Sequence, residues 1–174
     1  MILLTKLAKK DFKSPIAYEL AGQLESMWTM IREAINLVSD EEWTHGIQND
    51  KDWYYSLRVY HIIETAEFYS RDTHQGMQWG ARLGKVNWWE TITHQEAATK
   101  VGKSDMLIYS DEIAKYIRDK LQKFSDQDLL EQDGFHWFSS ILIKYVYLIR
   151  HNTYHLGELT QFLRLLGKER IKWD

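Results

Sequence analysis

From Ser14 onward the chain falls into long runs in which apolar residues return every three or four positions, the spacing that gathers them on one face of a helix. In the first run Ile16, Leu20, Leu24, Met27, Ile31, Ala34 and Val38 make one stripe of roughly six turns. Ser14 is placed to cap it, and Pro15 suits the first helical position, where its missing N–H would be unpaired anyway. The second run, from about Lys51 to Arg71, carries Tyr54, Leu57, His61, Glu64 and Phe68 on one side. Val59, Ile62, Ile63 and Ala66 lie on the other, so this helix is apolar on two sides and should lie deep. A third, capped by Ser104, shows Met106, Tyr109, Ile113, Ile117, Leu121 and Phe124 on one face. The fourth extends from about Trp137 to Leu166 and stops at Gly167, a normal residue just past a helix end.

The intervals are equally informative. "SDEEW" (39–43) and "SDQDLLE" (125–131) read as short capped turns, and "THGIQND" (44–50) as a loop. Between residues 72 and 102 the periodicity fails, although "THQEAATKV" has room for a short helix. Connections this long inside one domain are functional or crossover segments. No strand alternation, repeat or linker is visible. The expectation is an all-α chain: a single domain over residues 1–174, folded as a four-helix bundle with a long crossover connection between helices 2 and 3.

Composition narrows the function classes. Charged residues make up 27% of the chain, the net charge is −3 and no basic block occurs, which argues against a nucleic-acid partner. No apolar run approaches the roughly 18 residues of a membrane span, and no secretory signal pattern opens the chain. The absence of cysteine excludes disulfides and thiolate sites, so a cytoplasmic location is expected. Aromatics reach 14%, more than a bundle core needs. Trp53, Tyr60 and Tyr154 are positioned to line a pocket mouth, and Trp79, Trp88 and Trp89 to cover it, although packing in core or loop is the simpler reading of each.

The chemistry gathers on the fourth helix. Leu148, His151, His155, Glu158 and Phe162 fall along one line, so two imidazoles and a carboxylate face the core or its rim. A buried polar ring without a partner costs about 1–3 kcal/mol. The pair alone fits a hydrogen-bonded core pair as well as a pair of metal ligands, since chance supplies roughly 0.3 H-x-x-x-H pairs in a chain with seven histidines. His61, in the middle of the second helix's stripe, shifts the balance. Three imidazoles from two helices can converge on one ion and leave a coordination position open, the mark of catalytic rather than structural sites. Glu64 and Glu158, each one turn from a histidine, are candidates to orient a ring N–H or to act as a general base. His45, His74, His94 and His136 read as surface residues. Gly157, costly inside a helix, is expected where another helix approaches closely.

With the histidine in "SLRVYHIIETAEFY" and the final "HNTYHLGELTQFLRLLG", the chain resembles the DinB-like (YfiT-like) superfamily of metal-binding four-helix bundles. The resemblance implies His61, His151 and His155 as ligands of a divalent metal, zinc first, with nickel, manganese or iron also suited to the donor set. It further implies a small-molecule enzyme, a low-molecular-weight-thiol-dependent S-transferase or a hydrolase. Members often carry arginine after the second histidine of the pair and glutamine after the glycine; Leu156 and Glu158 stand there here. The alternative is a non-catalytic bundle, expected as a homodimer, that binds a ligand or protein partner with its metal structural or absent.

Overall fold

The computed structural model describes residues 7–47 and 50–172. Helix accounts for 66% of it and strand for little, in keeping with the all-α class. Helix α1 (Pro15–Leu37) begins as its sequence dictates: the Ser14 hydroxyl accepts from the Ala17 N–H at 3.0 Å and itself donates to Asp126, tying the helix start to a distant turn. Of its stripe, Leu20, Leu24, Met27, Ile31, Ala34 and Val38 are buried, whereas Ile16 is exposed. The short α2 (Asp40–Trp43) carries a Ser39/Glu42 capping box, and its Trp43 Nε1 donates to the Val101 carbonyl at 2.5 Å.

The chain then departs from the expected pattern. Residues 51–54 are not helical; they belong to β2 (Asp50–Tyr54), which pairs antiparallel with β1 (Gly46–Ile47). The reason is local. Asp50 holds the Asp52 N–H through its side chain at 3.1 Å, a turn interaction that competes with helix. Trp53 points into the core while Asp52 points out, and the Tyr55 N–H closes on the His45 carbonyl at 3.0 Å. Helix α3 therefore starts at Tyr55 and ends at Ser70.

The connection after α3 contains two 3-10 turns, Ala81–Leu83 and Trp88–Glu90, and the short α4 (His94–Lys100), capped by Thr93. Helix α5 (Lys103–Leu121) starts one residue before the expected cap; Gly102 takes that position with no side-chain bond, and Ser104 lies inside the first turn. After α6 (Asp126–Leu130), whose Ser125/Asp128 capping box matches its motif, α7 spans Ile141–Leu165. It starts later than Trp137 because Ser140 is the cap, accepting from Ile143 N–H at 3.3 Å, while Phe138 closes a turn on Phe135. Gly167 has a φ of 69° and ends the run as its sequence position suggests.

The four long helices close a ring: α1 packs on α5 and α7, and α3 packs on the same two. Trp28, Ile31, Ile35, Tyr55, Ile62, Ile63 and Tyr145 fill the interior. A lysine is buried with them. Lys144 is 1% exposed; it pairs with Asp133, donates to the Arg71 carbonyl at 2.8 Å and lies over the Phe135 ring. It thereby fastens the segment before α7 to the end of α3. Among the described residues no helix is long and apolar enough to cross a membrane.

Gly157 does not mark a helix crossing. It is exposed, and a Cβ built on it meets nothing within 4 Å. Gly157→Ala should therefore stabilise the protein by about 1 kcal/mol, the helix-propensity gain alone. Urea unfolding followed by circular dichroism measures this; a loss of stability would reveal a neighbour pressed against that position.

Candidate metal centre

Packing of α3 on α7 brings His61 against His151 and His155. The ring centroids are 5.2 Å (61–151), 4.8 Å (61–155) and 4.6 Å (151–155) apart. One ligand nitrogen from each lies within 4.8 Å of the others. Nitrogens at about 2.1 Å from a tetrahedral ion stand about 3.4 Å apart, so small side-chain rotations close the triangle around a cation. The donor set thus fits a divalent metal.

The hydrogen bonds decide which nitrogen each ring of α7 presents. Asn152 is fully buried, and its amide Nδ2 donates to the Ile62 carbonyl of α3 at 3.2 Å. That orientation turns its Oδ1 toward His151 Nδ1, 2.9 Å away, so the ring must donate there and its Nε2 carries the free lone pair. His155 reaches the same state differently. Its Nδ1 lies 2.7 Å from Glu158 Oε2, which accepts the proton and leaves Nε2 bare. Arg58 Nε sits 3.0 Å from the same oxygen. With Nδ1 protonated, the 3.4 Å approach of Arg58 Nη1 to His155 Nδ1 is a contact between two N–H groups, and Arg58 is held there by its ion pair with Glu158.

Burial favours the neutral form of His61 and of His155. Burial, reinforced by His155, His151 and Arg58, pushes His61 down to about 3. Burial also lowers His155, opposed by its bond to Glu158. A neutral imidazole is the form that binds a metal.

Beside His61 opens a recess of about 170 Å³, lined by Tyr54, Leu57, Arg58, Trp88 and His94 together with Asp52. His94, expected on the surface, is half-buried there; its Nδ1 lies 3.3 Å from Asp52 and its ring packs edge-on against Trp88 at 5.1 Å. His45 is exposed. His74 and His136 stack on each other at 5.3 Å beside Trp137, among the aromatics around Phe135.

Other expected site residues are redistributed. Glu64 does not serve His61: its Oε1 accepts from Tyr60 Oη at 2.7 Å and from the Gly80 N–H at 2.6 Å, on the α5 side of α3. A helical step of three residues turns it off the histidine line toward Tyr60. Trp53 is buried against Phe162 and Tyr55, and Trp79 packs on Phe68. Tyr154 is exposed, with its ring 5.2 Å from His155, and Trp89 is exposed; of the six candidate aromatics, Trp88 lines the recess. Arg58 was not anticipated. The available signal was its place one turn before His61, on the same helix face.

Comparison of the chain with models of protein families, with curated proteins and with solved structures finds no match.

Protonation gives a direct test of ring burial. In the folded, metal-free chain His61 takes its proton only near 3, against an ordinary value of 6.5. Between those values the unfolded state holds more protons, so acidification favours unfolding. With chelator present, thermal stability should fall from about pH 6.5 toward pH 3. The slope should be shallower in His61→Phe; an unchanged slope would place that ring in solvent.

Proposed function

We propose that the chain is a DinB-like four-helix bundle and a cytoplasmic metal-dependent enzyme acting on small molecules. His61, His151 and His155 hold one divalent cation, zinc being the best match to three neutral imidazoles. The observation carrying this reading is the convergence of three imidazole rings from two helices, with both α7 rings presenting Nε2. Three protein ligands leave a coordination position open.

A bound cation supplies Lewis acidity, lowering the pKa of a thiol or water at the open position. The protein's own groups do the rest. Glu158 holds the proton of His155 Nδ1 and so fixes that ring, while Arg58 holds Glu158. With its Oε2 bonded to His155 Nδ1 and paired in charge with the Arg58 guanidinium, Glu158 is a positioning residue rather than a general base. The recess beside His61 offers Leu57 and Trp88 to an apolar part of a substrate, with Arg58 and His94 at its polar side. These features suit transfer of a low-molecular-weight thiol to an electrophile, or hydrolysis of a small molecule.

Elemental analysis of protein purified without a metal-affinity tag should find about one divalent ion per chain. His155→Ala should lose it, together with any thiol-transfer or hydrolytic activity. Full metal content in that variant would refute the assignment. Glu158→Gln should weaken metal binding by about 10–100-fold, the usual effect of losing a ligand's orienting partner.

The second reading is a non-catalytic homodimer that binds a ligand or protein. It is favoured by the outward face of α7, where Ile143, Val146, Tyr154 and Leu165 are exposed around the open space at Gly157. It requires a dimer mass by light scattering and ligand binding that survives chelation.

A further inference from the structure

The opposite side of α3 carries a second cavity that the histidine site does not use. It occupies about 530 Å³ between α3 and α5, and the segment from Gly76 to Arg82 closes its third side. This is ample space for a small organic molecule, where the recess at His61 has about 170 Å³.

Its chemistry is set by Glu64, which is 5% exposed. The carboxylate is built into place. Tyr60 Oη and the Gly80 N–H both donate to Oε1. Gly80 has a φ of 81°, and a Cβ there would meet the Lys85 carbonyl at 2.6 Å and Trp88 Cδ1 at 2.7 Å, so the turn delivering that N–H requires glycine. Both donors favour the ionised form, but burial outweighs them and holds the carboxyl above its ordinary range. Yet Oε2 takes no hydrogen bond and no ion pair from the described residues. An ionised carboxylate buried without a counter-charge is costly.

The other acidic groups lining the cavity already have partners. Arg82 pairs with Glu112 at 3.0 Å and reaches Glu67 at 4.0 Å, and Tyr109 donates to Glu67. Arg71 donates to the Gln75 carbonyl at 2.8 Å. Glu64 is left as the one acidic lining group without a charged or second-oxygen partner among the described residues. Met77, Ala81, Ile113 and Tyr116 supply apolar wall, and a tyrosine ring attracts a cation as well as an alkyl stem.

We propose that this cavity binds a small organic cation, an ammonium or guanidinium on an apolar stem, with its charged head on Glu64 Oε2 and its stem against Ile113, Met77 and Tyr116. The cation supplies the missing counter-charge, and the stem covers apolar surface that water now touches. The site is independent of metal binding.

The test is titration calorimetry of the full chain with phenethylamine, and with 2-phenylethanol as its neutral counterpart. Phenethylamine should bind about tenfold more tightly than the alcohol, the difference expected from one charge-assisted hydrogen bond, and Glu64→Gln should erase that preference. His151→Ala, which removes a metal ligand, should leave amine binding unchanged, so the two sites fail or stand separately. No binding of the amine, equal binding of amine and alcohol, or an undiminished preference in Glu64→Gln would overturn the proposal. If Glu64→Gln does not fold by circular dichroism, Ala81→Trp provides the second arm: filling the cavity should abolish amine binding, and retained binding would refute the site.

Discussion

One buried amide governs the relation between the two helices that matter most. Asn152 has no contact with solvent, and it bonds the Ile62 carbonyl of α3 with one end and the His151 ring with the other. A polar side chain left unsatisfied at this depth costs about 1–3 kcal/mol. The bond therefore penalises any sliding of α7 along α3. The same amide sets the axial register that places His61 beside the pair and the tautomer that points His151 Nε2 outward. Register and chemistry are determined together, by one residue.

Around that joint the charges are arranged in matched sets. Arg58 and His155 share Glu158; Lys144 is answered by Asp133 and a backbone carbonyl. A buried ion pair such as Lys144–Asp133 contributes little net stability, but the loss of either member is strongly penalised. Lys144 matters to the site through geometry. It ties the end of α3 to the approach of α7, so the two histidine-bearing helices are clamped at that end as well as at Asn152.

Much of this was legible in the sequence. The helical stripes identified α1, α5 and most of α3 and α7, because apolar period is a direct consequence of burying one face. The three histidines were legible for the same reason: each interrupts a stripe, so each had to face inward. What escaped depends on contacts between distant segments. Residues 51–54 continue the apolar spacing of α3, and only pairing with Gly46–Ile47 and the Asp50 turn makes them a strand. Glu64 looked like a partner for His61 from its spacing alone. Its partners are Tyr60 and Gly80, and Gly80 lies in a connection without periodicity, where no pattern announces a left-handed turn. Gly157 misled differently, since propensity says what a residue costs but not what stands opposite it.

The way the α7 rings are held also limits what evolution or design can place there. Each imidazole uses its inner nitrogen to bond its own helix and offers the outer one, so the donor atom stands at the far tip of a long, braced side chain. A cysteine sulfur or an aspartate oxygen projects less far from the backbone than a histidine Nε2. Either would fall short of the common centre unless α3 and α7 drew closer, and both helices bury side chains fully in a filled core, Ile62 from α3 and Leu148 and Leu159 from α7. Spacing between the helices has thus selected histidine on reach, as well as on affinity.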